Sequence, residues 1–400
     1  MGTARALVLL VAGGVVASGC RRADSDQPAV VHTVQVEQPV PPPDTLLPGM
    51  PPPVDPHNLY AAAGAGMVSP VAGSALPRVY VPDGGAASVS VIDPATYTVV
   101  RTFSTGAVPQ HVVPAYDLAT LWVANEAGNS VTPIDPVTGD PGPRVSVADP
   151  YNMYFTPDGR YAIVVAEREH RLYFRDPHTM ALHDSVHVGC SGVDHMEFTA
   201  DGRFAVATCE FSGQLLKLDV AAHKILAYLQ LPADSFGHAM PQDVRSAPDG
   251  RVFYVADLTA DGVHLLDPVA FATIGFIRTG RGAHAIYPSR DGRLLYVANR
   301  GAHTVMGGRH GAGSVSVIDP TTRAVVATWP VPGGGSPDMG NVSADGRELW
   351  LSGRFDYEVY VFATNSGVIT HRIPVQRGPH GLTVWPQPGR YSLGHTGNMR

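Results

Sequence analysis

From residue 78 to about 390 the chain alternates between short apolar runs and polar turns, with no stretch of helical periodicity long enough to compete. One set of runs follows an Asp-Gly turn. Asp158-Gly159, Asp201-Gly202, Asp249-Gly250, Asp291-Gly292 and Asp345-Gly346 lead into Tyr161–Val165, Phe204–Thr208, Val252–Ala256, Leu294–Ala298 and Glu348–Ser352. A further set ends in aspartate and usually proline, as in Ser88–Asp93, Ser130–Asp135, Val263–Asp267 and Ser314–Asp319. Proline cannot donate to a β-ladder, so it marks where each of those strands stops.

These sets repeat together. Each unit holds four short strands, and the first strand starts near His111, Asn152, His195, Asp243, His284, Gly340 and His380. The spacings are 41, 43, 48, 41, 56 and 40 residues. The long interval carries a glycine-rich insertion, residues 299–313, with Arg300, His303, Arg309 and His310. Four-strand units of this length are propeller blades. Seven first strands predict an all-β, seven-bladed propeller. The chain opens with strands two to four of a blade and ends with a lone first strand, so the C-terminus is expected to close the ring against the N-terminal blade. Closure would remove the exposed sheet edge.

Leu121-Trp122-Val123-Ala124-Asn125, Leu295-Tyr296-Val297-Ala298-Asn299 and Ser314-Val315-Ser316-Val317-Ile318-Asp319 resemble the YVTN-type β-propeller repeat. The resemblance covers residues 78 to 390 and implies the fold. That family includes surface-layer proteins, exported binding proteins and lactonase-like enzymes, so it leaves function open.

The N-terminus reads differently. Arg5, an apolar stretch from Ala6 to Val16 and then Ala17-Ser18-Gly19-Cys20 resemble a lipoprotein signal peptide (residues 1–19), with Cys20 as the acylated residue. This predicts an exported protein anchored to a membrane through lipid, facing the periplasm or the cell exterior. Residues 20–75 are proline-rich and are expected to form a flexible stalk, with residues 76–400 as the propeller. The net charge of −7 disfavours a broad nucleic-acid-binding surface. A monomer is expected, with an unidentified small ligand or envelope protein as partner. Cys190 and Cys209 fall at neighbouring strand ends of one blade, and in an exported chain they are expected to form a disulfide.

Candidate chemistry gathers at the start of the innermost strands. His111, His195, His284 and His380 share one repeat position, and Asn152, Asp243 and Asn341 occupy it or lie beside it in the other blades. Loops leaving the second strands add Glu210, Asp257, Arg300 and Arg354 to the same channel mouth, with Glu126 and Glu167. His395 in the C-terminal tail could fold over that mouth. Three readings follow. The histidines hydrogen-bond a neighbouring blade, as Pro379-His380-Gly381 does by resemblance; or they hold copper, iron or zinc, for which neutral imidazole is a suitable donor; or they contact a polar organic or anionic ligand. The position resembles where nitrous oxide reductase gathers copper-ligating histidines, although that enzyme's paired histidines are absent here. The function favoured from sequence is a non-catalytic ligand-binding module. The rivals are a metal-dependent oxidoreductase, a lactonase-like hydrolase with Glu210 or Asp257 as its base, and a pure protein-interaction scaffold.

Overall fold

The computed structural model describes residues 46–233, 237–306 and 311–400. The signal segment and Cys20 lie outside them, as do Arg309 and His310.

Seven antiparallel sheets form the ring. The innermost strands are Pro109–Pro114, Asn152–Phe155, Val193–Phe198, Pro241–Ser246, Ala283–Pro288, Pro337–Val342 and Thr383–Trp385. Thr383–Trp385 pairs antiparallel with Arg78–Asp83, which closes the ring. Val79 is fully buried at this seam and Val384 nearly so. Burying an aliphatic side chain of that size contributes roughly 1.5–3 kcal/mol, so closure is stabilised by packing as well as by ladder bonds.

The burial pattern fixes which strands face solvent. Innermost strands are buried along their whole length except for the half-buried Pro288, whereas outermost strands such as Lys224–Gln230 alternate between exposed and half-buried positions. The alternation is the period of a strand wetted on one face.

Five innermost strands carry a β-bulge near their start, between Pro109 and His111, Val193 and Met196, Pro241 and Val244, Ala283 and Ala285, and Pro337 and Gly340. A bulge breaks the two-residue alternation. Consecutive residues such as Asp194 and His195 therefore both reach the polar cluster at the axis, where their side chains lie 3.1 Å apart.

Residues 46–75 do not behave as the stalk expected from their prolines. Leu47, Leu59, Tyr60, Ala62 and Ala63 are buried. Backbone N–H groups of Leu47, Leu59 and Gly66 donate to the carbonyls of Asp201, Pro248 and Ala344. Those acceptors lie at turns between first and second strands, so this segment straps that face of the ring. Apolar anchors spaced between the prolines account for the difference. No helix among the described residues is long and apolar enough to cross a membrane.

The C-terminal tail also packs. Leu393 lies against Phe155, Arg400 pairs with Glu197 at 2.8 Å, and Asn398 donates to the same carboxylate at 3.0 Å. The tail therefore enters the channel from the strapped face. It does not close over the opposite mouth, as its sequence position suggested.

Candidate metal centre in the channel

Two groups of three potential ligands meet inside the ring. His111, His195 and His395 form one, and His284, Asp338 and His380 form the other. Within each group the donor atoms lie within 4.8 Å of one another, and all six residues are buried. His111 lies between the groups, its ring 5.6 Å from that of His195 and 4.7 Å from that of His380.

Close backbone approach makes this geometry possible. A Cβ on Gly381 would lie 2.1 Å from the His111 ring, so only glycine lets that imidazole sit against the neighbouring blade. At Gly394 a Cβ would collide with the Met153 carbonyl at 2.4 Å, and the backbone there has φ +97°. Glycine at this point lets the tail deliver His395, whose own backbone is left-handed at φ +53°.

The histidine group is held by neutral donors and acceptors. The His111 Nδ1 lies 3.0 Å from the Tyr151 carbonyl, which can only accept. The neutral ring therefore carries its proton on Nδ1, and Nε2 is a free lone pair. Asn152 Nδ2 donates to the Nδ1 of both His195 and His395, at 3.2 and 3.0 Å, while its Oδ1 accepts from the Met153 N–H. In this arrangement both rings carry the proton on Nε2. Neither Nε2 has an aligned hydrogen-bond partner among the described residues, although His195 Nε2 lies 3.1 Å from Asp194.

The second group contains a formal charge. Arg300 places Nε and Nη2 each 2.8 Å from Asp338 Oδ1. His284 Nδ1 is 2.9 Å from the same oxygen, without the alignment of a hydrogen bond. Burial alone would raise the Asp338 carboxyl. Arg300 and His284 outweigh it and hold the group well below the usual carboxylate range.

Burial is the main influence on every imidazole here. It pushes His111 down to about 3 and His284 to about 4, and it holds His195, His380 and His395 well below the ordinary histidine range. All five rings are neutral near pH 7, the state a metal requires.

The mouth is divided by charge. On one side burial raises Asp194 well above the usual range, Glu210 to about 7 and Glu167 to about 8, each penalised further by its acidic neighbours or relieved by amide contacts. Gln242 donates to Glu210 at 2.8 Å. On the other side stands Arg354, half-buried and donating to Gln110 at 3.3 Å.

Several residues read as mouth ligands serve the scaffold. Asp257 accepts from the backbone of Met240, Thr259 and Ala260 and lies 3.0 Å from His264, so its carboxylate is consumed in capping a loop. Asn341 ties the tail through the Thr396 carbonyl, the Val384 N–H and Gln387. Asp243 accepts from the N–H groups of Val244 and Ile286 and lies 3.7 Å from Arg245. Cys190 and Cys209 are joined in a disulfide with Cα atoms 6.0 Å apart, so neither offers a thiolate to the channel.

Asp338 was missed by sequence reasoning. Its signal was the proline that opens the strand: Pro337-Asp338 aligns with Pro109-Gln110, Pro241-Gln242 and Pro379-His380. Aligning the blade on Gly340 hid it by two residues.

No curated protein matches the sequence significantly. Among solved structures the chain resembles Kuenenia stuttgartiensis hydrazine synthase, with a TM-score of 0.55, 18% identity, and coverage of 68% of this chain and 88% of that one. It resembles a functionally unknown protein from Desulfotomaculum acetoxidans at TM-score 0.62 and 14% identity, over 78% of this chain and 100% of that one. A putative 6-phosphogluconolactonase from Bacteroides uniformis is similar at TM-score 0.61 and 17% identity, over 76% and 98%. At these identities the likeness is one of fold. The sequence also matches the YncE-like β-propeller family over residues 46–388, which includes the whole strap, and the chain belongs to that family.

Proposed function

We propose that this chain is a metal-binding propeller of the cell envelope, carrying a transition metal in its channel on His111, His195 and His395. The N-terminal sequence supports export and lipid anchoring at Cys20. One observation carries the metal reading: three buried, neutral imidazoles from two blades and the tail bring ring nitrogens within 4.8 Å of one another. A blade-to-blade hydrogen-bonding role would leave each nitrogen satisfied, yet His195 Nε2, His395 Nε2 and both nitrogens of His380 lack aligned partners.

The donor set fits copper, zinc or iron, which imidazole binds well. His111 needs no change of tautomer, because its proton is already on Nδ1 and Nε2 is a lone pair. His195 and His395 must shift their protons to Nδ1, and Asn152 must then turn its oxygen towards them. The Asp338 group is the weaker binder, because Arg300 already neutralises the carboxylate and would oppose a cation. The lactonase-like alternative keeps only Glu210 as a base, since Asp257 is engaged elsewhere.

The test is elemental analysis of the full chain, purified without a histidine tag. Near-stoichiometric copper, zinc or iron that disappears in a His111→Ala/His195→Ala variant supports the reading. A protein that carries no metal and takes none up on addition refutes it.

A further inference from the structure

Met339 stands beside the histidine group and has no role in the account above. Its thioether sulfur lies 3.4 Å from His111 Nε2, and the residue is fully buried. That nitrogen is a lone pair, because Tyr151 takes the Nδ1 proton of the neutral ring. A thioether sulfur is also only an acceptor. Two electron-pair donors therefore face each other at contact distance in a buried site, with no proton to place between them. A cation that accepts from both would turn this unfavourable contact into a favourable one.

The neighbours extend the pattern. The His380 ring lies 4.7 Å from that of His111, and neither of its nitrogens has an aligned hydrogen-bond partner among the described residues. The Met339 backbone is fixed by Ser352, whose Oγ accepts from the Met339 N–H at 3.3 Å and donates to its carbonyl at 3.1 Å. The bulge between Pro337 and Gly340 accounts for Asp338 and Met339 both being in this region although they are consecutive.

Thioether is a soft ligand and discriminates strongly among metals. It suits Cu(I) and is a poor donor to zinc and to the harder divalent ions. We propose that Met339 is a further metal ligand beside His111, and that its sulfur makes the site of His111, His195 and His395 one for monovalent copper, with His380 flanking it. This rests on the metal reading above and narrows it. A single positive charge is also the smallest that an all-neutral donor set in a buried site has to accommodate.

The test loads the full chain anaerobically with Cu(I) and records X-ray absorption. A sulfur scatterer at about 2.3 Å, a typical metal–sulfur distance, is expected beside the nitrogen shell. It should be lost in Met339→Leu, which keeps the volume of the side chain. In competition with a chromophoric Cu(I) chelator, Met339→Leu should bind Cu(I) at least tenfold more weakly, with Zn(II) affinity unchanged within twofold. The parent spectrum does not depend on how well the variant folds. A nitrogen-only copper shell in the parent, with equal Cu(I) affinity in the variant, overturns the role of Met339 and leaves the metal reading standing. Failure of the parent to take up either Cu(I) or Zn(II) overturns both.

Discussion

The two halves of the channel solve the same problem in opposite ways. Both bury polar groups that would rather be in water. The half built on His284, Asp338 and His380 brings in a carboxylate and neutralises it at once with Arg300, at 2.8 Å. The half built on His111, His195 and His395 contains no charge; it relies on a carbonyl and an amide to orient neutral rings. Removing either Asp338 or Arg300 would strand a buried ion at a cost of roughly 3–5 kcal/mol. Ring nitrogens lack aligned partners in both halves, His284 and His380 in the first and His195 and His395 in the second. What separates the halves is charge: a cation entering the first would meet Arg300, and one entering the second would meet neutral donors.

This contrast can be broken at several points. The largest effect is expected from His111→Ala/His195→Ala, which should lower metal affinity by a factor beyond about 1,000 as two of three donors disappear; equilibrium dialysis against a buffered metal series measures it. His395→Ala should follow, with a loss of about 100-fold. Hydrogen exchange of residues 391–399 should also be slower in the metal-loaded parent than in the metal-free parent, a difference that the variant abolishes. If His395→Ala binds as the parent does, the tail is packing alone.

Asn152→Asp should act in the other direction. A carboxylate accepts from both Nδ1–H groups while keeping the Met153 N–H, so it fixes both Nε2 atoms as lone pairs. About tenfold tighter binding is expected, in the range seen for the residues that orient metal-bound histidines. Asp338→Asn should change the metal content little, by less than about twofold. Loss of metal in that variant comparable with the histidine double variant would show that the halves are not distinct.

The smallest expected effect is on pH. Burial depresses the imidazoles of the site, His111 to about 3 and His195 and His395 well below the ordinary histidine range, so protons compete with a metal only at low pH. Metal should stay bound at pH 5 and leave only as the pH falls towards about 3. An ordinary exposed histidine site would release it near 6.5. Release centred near pH 6.5 would mean that the rings are not buried as described.

The fold was legible because a four-strand period repeats seven times and is punctuated by five Asp-Gly turns and five Asp-Pro stops that reinforce it. The convergence of His111, His195, His284 and His380 was legible, but not as one repeat position: the registers place His111 and His195 at one position and His284 and His380 one residue earlier, and the bulges bring both positions to the axis. Three features were hidden. Residues 46–75 looked like a stalk because prolines dominate them, and the burial of Leu47, Leu59 and Tyr60 depends on turns far away in sequence. Asp338 and Met339 sit at a bulge, where the simple alternation that locates inward-facing residues fails. His395 was in view, but the face from which the tail enters is set by long-range contacts such as Arg400 with Glu197.

The most direct test of the central claim is anomalous X-ray diffraction from crystals of the full chain grown with the metal that the protein retains. The account predicts one strong anomalous peak on the channel axis, about 2 Å from His111 Nε2, a normal metal–imidazole distance, with His195 and His395 turned towards it. A peak only at surface histidines, or no peak in crystals of protein shown to be folded, would contradict it.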